Sequence, residues 1–329
     1  MICVSFDFLL ETQGHVVKLL NNSFKKGRIV HTYLFEGARG TAKLDAAYYL
    51  AALLLCQSDE KPCLSCEECS KIINRNHPSV ILVSPENNVI RKEQADNLGK
   101  EFSLKSIDEK SRVFIIDEID KATSATANSL LKFLEEAGTD NYGVLITENL
   151  YNVLPTIRSR SQIVSFSQLR PQIIADKLIS LGIEEETSYV LANITNNVEE
   201  CLEMINEGKI LDIIDLTKKM AYSLVKKEKS PLLIFYEDGK FLLSESDKRY
   251  HNIFLDLMIA FFSSLLYLTL NQNEKIIFKN IINKIASDVD IPPQRIIGEL
   301  EKILDYKQKL RYNINIELFY TQMLTAVEL

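Results

Sequence analysis

The sequence has no surplus of basic charge. Its 38 lysines and arginines face 45 acidic residues, a formal net charge of −7 at neutral pH. The chain as a whole is therefore not drawn onto a phosphate backbone, and any nucleic-acid contact needs a local basic patch or basic partners. The stretch from Met1 to Gly14 lacks a positive n-region and a small-residue cleavage site. A signal peptide is therefore not expected, and a cytoplasmic location is. No internal repeat and no low-complexity tract occurs. Cysteine is scarce outside one cluster: of six, only Cys3 and Cys201 lie beyond residues 56–69. Long apolar runs are also rare. The exception, Ile253–Leu270, is about long enough to span a bilayer. Asp256, Ser263, Ser264 and Thr269 interrupt it, so it reads as the buried helix of an all-helical domain, and no membrane contact is expected.

What is present has a clear order. A chain of 329 residues has room for two or three domains. The first half alternates short β-branched or aromatic runs with helix-period segments. The strands are expected at Thr32–Glu36, Val80–Ser84, Arg112–Asp117, Gly143–Thr147 and Gln162–Phe166. The helical segments are notably Ala42–Cys56 and Ala122–Ala137; in the second, Ala127, Leu130, Leu131 and Leu134 share a face. Such alternation, with near-continuous apolar strands, predicts an α/β domain whose parallel sheet is covered on both sides. After Phe166 the strand signals stop. Segments starting near Pro171, Glu184 and Asn197 read as three short helices. Longer amphipathic helices follow from about Lys209, broken near Glu237–Lys240 and at Pro292-Pro293. The expected domains span residues 1–167, 168–208 and 209–329.

Strand Thr32–Glu36 runs into Gly37-Ala38-Arg39-Gly40-Thr41-Ala42-Lys43-Leu44 and then a helix. That is the setting of a P-loop, where a helix N-terminus with free N–H groups suits an anion. Measured against G-x-x-x-x-G-K-[ST], Gly37 and Lys43 are in place. Ala42 stands where the second glycine belongs, and its methyl group crowds a backbone usually left to glycine. Leu44 stands where a hydroxyl should hold Mg²⁺, and hydrolysis relies on that metal bridging the β- and γ-phosphates. Further on, Val113-Phe114-Ile115-Ile116-Asp117-Glu118 is an apolar strand ending in two carboxylates, the Walker B arrangement. There the Asp would hold metal through water and the Glu would activate a nucleophilic water. The candidate nucleotide site thus comprises Gly37, Gly40, Lys43, Asp117, Glu118 and Thr147. Efficient hydrolysis is not expected of it, and ATP binding stays open.

Cys56, Cys63, Cys66 and Cys69 follow the spacing C-x6-C-x2-C-x2-C. Four thiolates so close in sequence can converge tetrahedrally on Zn²⁺, and a site filled by four protein ligands is structural rather than catalytic. An iron–sulfur cluster is the alternative. Pro155-Thr156-Ile157-Arg158-Ser159-Arg160-Ser161 precedes the fifth strand. Arg158 and Arg160 are either exposed surface charges or, at the tip of a short helix, able to reach a neighbouring subunit's nucleotide.

Taken together, these segments resemble the delta-prime family of bacterial DNA polymerase III clamp-loader subunits, in the AAA+ superfamily. The matching residues are Gly27–Gly37, the four-cysteine insertion, Asn76–Val80, Ala127–Glu136 and Thr156–Gln162, covering roughly residues 27–170, with a weaker similarity around Asn313–Leu324. The resemblance implies a five-stranded AAA+ domain, a helical lid and an all-helical collar that assembles a ring-like complex. It implies tau/gamma-type motor subunits and a delta subunit as partners, and a sliding clamp loaded onto primer-template DNA by the complex. It also implies that Arg160 is a trans-acting arginine finger for the adjacent motor subunit. Ser161 replaces the cysteine of the family's Ser-Arg-Cys motif. Asp117 and Glu118 are kept although delta-prime proteins need no Walker B, and no clear sensor arginine lies near Asn196-Asn197.

Two other readings compete. An ATP-hydrolysing tau/gamma-type motor shares the cysteine module and the Ser-Arg segment, and Ala42 and Leu44 argue against it. A stand-alone zinc-containing nucleic-acid-binding protein would need basic or stacking residues around the cysteines. Gln57–Lys61 and Glu67-Glu68 are not basic as a set and carry no stacking aromatics.

Overall fold

The computed structural model describes residues 6–103, 111–136, 140–288, 291–312 and 314–327. Met1 to Ser5, Ala137 and Asn313, which figure in the readings above, lie outside them. Two compact units make up the chain, Met1–Leu169 and Arg170–Leu329.

In the first unit, α1 (Phe6–Thr12) and α2 (Gly14–Lys25) precede β1 (Thr32–Glu36). Then come α3 (Lys43–Leu55), α4 (Glu67–Ile73), β2 (Val80–Val83), α5 (Lys92–Ser103) and β3 (Arg112–Ile116). The unit ends with α6 (Ser124–Glu136), β4 (Asn141–Thr147), α7 (Pro155–Arg158) and β5 (Gln162–Ser165). The strands form one five-stranded parallel sheet in the order β2-β3-β4-β1-β5. All the expected strands form, with ends shifted by at most two residues.

Strand alternation sorts the apolar side chains to two faces. Tyr33 and Phe35 join Val113, Ile115, Val144, Ile146 and Val164 on the face that α3 covers. Leu34, Phe114, Ile116 and Leu145 join Leu98 and Phe102 of α5 and Leu130 and Phe133 of α6 on the other. Helix α3 is apolar almost all round because α1, α2 and α4 cover the side turned away from the sheet. Gly143 faces Phe114 across the β3–β4 ladder. A Cβ there would lie 2.1 Å from the Phe114 ring, which packs edge-on against Phe133 and Phe102. Only a residue without a side chain leaves room for that ring.

The second unit is helical: α8 (Pro171–Ser180), α9 (Glu185–Ile194), α10 (Val198–Glu207), α11 (Lys209–Lys226), α12 (Pro231–Asp238) and α13 (Lys240–Leu243) lead to α14 (Lys248–Thr269). Helices α15 (Lys279–Ile285), α16 (Pro293–Lys309) and α17 (Ile316–Ala326) follow. Pro171, Pro231 and Pro293 each occupy a first helical position, where the missing N–H costs nothing. Helix α14 contains the apolar run. Among the described residues it alone is long and apolar enough to cross a membrane, and half of its most apolar window is buried in the protein. Phe254, Leu255, Met258, Phe261, Phe262 and Leu265 are fully enclosed, and α11 and α16 pack against the helix. Asp256, one of the interruptions in the run, pairs with Lys307 of α16.

Candidate functional site

The register sets Glu36 beside Thr147, and Ile116 beside Leu145, so the C-terminal ends of β1, β3 and β4 lie together. Strand order reverses around β1, and the crevice beyond such strand ends is where open α/β sheets hold ligands. The segment after β1 wraps as the motif requires. Gly37 has φ 155°, and a Cβ there would stand 3.0 Å from Phe166. Gly40 is left-handed at φ 78°. Ala42 is left-handed as well, at φ 60° and ψ 27°. For alanine that conformation costs on the order of 1–2 kcal/mol, so the loop keeps a glycine conformation without the glycine.

Lys43, the first residue of α3, is buried. Its Nζ donates to the carbonyls of Gly37 at 2.7 Å and Ala38 at 2.6 Å. Burial pushes the ammonium's pKa down, and the carboxylates of Glu148, Asp117, Asp120 and Glu36 oppose that shift. Asp117 is pushed up, first by burial and then by the charge of Glu118, while the Glu118 N–H and Lys43 pull the other way. The Thr147 hydroxyl donates to Asp120 Oδ1 at 2.9 Å, and its carbonyl accepts from the Gly37 N–H at 3.3 Å. Gly37, Lys43, Asp117 and Thr147 therefore share one neighbourhood, rich in carboxylates and with its lysine held by the loop's own carbonyls. Leu44 is half-buried and packs against the apolar cluster on the α3 face. No hydroxyl stands at its position to bind a metal.

The four cysteine sulfurs lie within 4.8 Å of one another. Cys56 Sγ stands 3.5 Å from Cys63 Sγ and 3.9 Å from Cys66 Sγ. A tetrahedral ion with metal–sulfur bonds of about 2.3 Å needs sulfurs about 3.8 Å apart, so the set fits a single ion. Thiolates around a multi-iron cluster bind different irons and stand further apart. The chain turns as a knuckle between Cys63 and Cys66, where Leu64 is left-handed at φ 56°. The Cys66 N–H points at Cys63 Sγ and the Cys63 N–H at Cys56 Sγ. Hydrogen bonds from Ser58 and from backbone N–H groups bring the Cys63 thiol down to about 5, whereas burial and the neighbouring thiols push Cys69 up. Four sulfurs this close cannot all ionise without a cation among them, and a divalent ion resolves that conflict.

Arg160 is exposed and follows the short helix α7. Its Nη2 donates to Glu135 Oε1 at 2.7 Å and its Nη1 to the Thr156 carbonyl at 3.3 Å. Arg158 is partly buried.

These features converge with what the chain is similar to. A profile of the family described as DNA polymerase III, delta subunit, matches residues 12–170. The chain is 33% identical over 318 residues to DNA polymerase III subunit delta' of Bacillus subtilis, covering 96% of each. The chain belongs to the delta' family of DNA polymerase III. It is a DNA polymerase III subunit of the delta' type, whose first unit carries a five-stranded parallel sheet and a P-loop-like turn. DNA polymerase III subunit tau of Bacillus subtilis is 26% identical, over 94% of this chain and 59% of its own length. Among solved structures, a DNA polymerase III gamma-subunit-related protein from Thermotoga maritima aligns with TM-score 0.40 and 17% identity, over 94% of this chain and 97% of that one.

Within this delta'-type subunit, two pairs have no local sequence signal. Glu135 meets Arg160 from the last turn of α6. His77 is buried and fastens the cysteine module: its Nδ1 accepts the Ser79 N–H at 3.0 Å, so Nε2 carries the proton and donates to Glu68 Oε2 at 2.6 Å. Glu68 also accepts from Gln57 Nε2 at 3.4 Å. A His-Pro pair before a strand and a Glu inside the cysteine spacing are visible in sequence, but nothing in their order pairs them. Near the anticipated sensor position, Asn197 caps α10 by accepting from the Glu199 N–H at 2.9 Å.

Proposed function

We propose that this subunit is the non-hydrolysing stator of the clamp loader. In this reading it supplies Arg160 in trans to a neighbouring tau/gamma-type motor subunit, with delta as a further partner. The complex then loads the sliding clamp onto primed DNA in the cytoplasm, and the DNA is met through the complex. Leu44 carries this reading. Phosphoryl transfer depends on a metal bridging the β- and γ-phosphates, and the position that should hold it carries a half-buried leucine packed against the apolar cluster. Ala42 and the lysine bound by loop carbonyls point the same way. The exposed guanidinium of Arg160 is suited to stabilise charge on a transferring phosphoryl, since it is planar, permanently charged and just beyond a short helix.

Zn²⁺ is the metal assigned to Cys56, Cys63, Cys66 and Cys69, as a structural ion that holds the 56–69 excursion together. The helical part divides in this reading into a lid over 168–208 and a collar over 209–329, the latter joining the subunits. The test is ATP turnover by the chain alone and by the reconstituted complex. The chain alone is expected to be inactive, and Arg160→Ala is expected to leave assembly intact while lowering turnover of the complex by about 10³-fold or more at the site it serves. Unchanged turnover would end the finger reading.

The motor reading is favoured by one observation, the retained Asp117-Glu118 pair at the end of β3 beside Lys43. ATP turnover by the purified chain, abolished by Lys43→Ala, would establish it instead.

A further inference from the structure

We propose that Glu135 is a positioning residue for Arg160, holding its guanidinium in one orientation at the surface of the first unit. This rests on the reading of Arg160 as a trans-acting finger and adds the group that aims it. Arg160 is a long side chain on an exposed turn, where many rotamers compete. Two bonds narrow that choice, from Nη2 to Glu135 Oε1 at 2.7 Å and from Nη1 to the Thr156 carbonyl at 3.3 Å. The two acceptors come from different elements. Thr156 lies within α7, whereas Glu135 lies in the last turn of α6, which Leu130 and Phe133 anchor beneath the sheet. The carboxylate therefore stands on a fixed element and the arginine on a turn.

The guanidinium presents its donors as a planar fork. With one proton of each Nη engaged, the Nε–H and the second proton of each Nη are left to meet phosphate oxygens. The pair is a tether and not a lock. Its side chains are 45% and 54% exposed, and exposed ion pairs shift an equilibrium by at most about five-fold. Such a tether can narrow the orientations of the finger without having to be broken before phosphoryl transfer.

Steady-state ATP turnover of the reconstituted complex, with clamp and primed DNA present, tests this in Glu135→Ala, Glu135→Gln, Arg160→Ala and the Glu135→Ala/Arg160→Ala double variant. Glu135→Ala is expected to lower kcat about two- to five-fold with the KM for ATP unchanged, as for an interaction that serves the transition state. Glu135→Gln keeps an acceptor oxygen and is expected to recover part of the loss. In the Arg160→Ala background the Glu135 change is expected to do nothing more. An unchanged kcat, a raised kcat, or the same fall in the Arg160→Ala background would overturn the positioning role. A loss with Arg160→Ala and none with Glu135→Ala removes only that role. If Arg160→Ala itself has no effect, the finger reading falls and takes this one with it. Gel filtration and thermal midpoints of each variant separate these outcomes from misassembly.

Discussion

Placing a methyl group at Gly143 tests the packing that holds the β3 and β4 ends in register. The new Cβ would meet Phe114 Cζ at 2.1 Å and Cε2 at 2.3 Å, far inside contact distance. The ring has little room to retreat, because Phe133 lies 4.9 Å and Phe102 5.5 Å from it, centroid to centroid. Forcing extra volume into such a core costs about 1–3 kcal/mol. Replacing a strand glycine offsets about 0.5–1 kcal/mol of that, since alanine loses less freedom on folding. A net destabilisation of roughly 1 kcal/mol, at most about 2.5 kcal/mol, is therefore expected for Gly143→Ala. Urea denaturation of the metal-loaded chain should show a lower midpoint with an unchanged slope. Phe114→Leu removes the clashing ring atoms, so in the double variant the two losses should add to less than their sum. A neutral or stabilising Gly143→Ala, or strict additivity with Phe114→Leu, would refute the argument. Asp117 follows β3 directly and Thr147 ends β4. The same variant is thus expected to disturb the candidate nucleotide site.

Two more outcomes follow from the metal cluster and from a buried histidine. The purified subunit is expected to contain about one equivalent of zinc, and Cys69→Ser to abolish it, as read by metal analysis; structural zinc contributes about 10–16 kcal/mol in small zinc modules. A metal-free chain that is fully folded would contradict the assignment. His251 is buried in the second unit, its Nε2 donating to the Glu245 carbonyl at 3.1 Å, so that Nδ1 accepts from the Tyr320 hydroxyl at 2.8 Å. Burial holds its folded pKa below the usual value, with Glu245 and Asp247 pulling it up and Lys248 pushing it down. The unfolded state therefore binds the proton more readily, and stability falls as pH drops below about 6.5. His251→Gln should shrink the difference between urea midpoints at about pH 7.5 and 5.5. An equal difference in both proteins would show that other groups carry the acid sensitivity.

Much of this protein follows from local order along the chain. Near-continuous apolar residues in Thr32–Glu36 or Arg112–Ile116 specify strands buried on both faces, because successive side chains point to opposite sides of the sheet. The proline-led starts of α8 and α16, the four-cysteine spacing and the loop's departures from the P-loop pattern were likewise open to reading, since each depends on residues a few positions apart. The sequence also marked Ala42 and Leu44 as departures from a working P-loop.

Other features depend on contacts between residues far apart in sequence, and only the tertiary structure decided them. Glu135 and Arg160 meet because α6 and the turn before β5 belong to one layered unit; neither residue's neighbours in sequence announce the pair. His77, beyond α4, joins Glu68 in that helix's first turn, and Gly143 yields to Phe114 because parallel register sets them side by side. That Ala42 keeps the left-handed turn, and that Lys43 turns into its own loop's carbonyls, needed backbone angles and distances. Local periodicity sets which element forms and which face it buries; which distant charge, ring or carbonyl meets that face depends on how the finished layers pack.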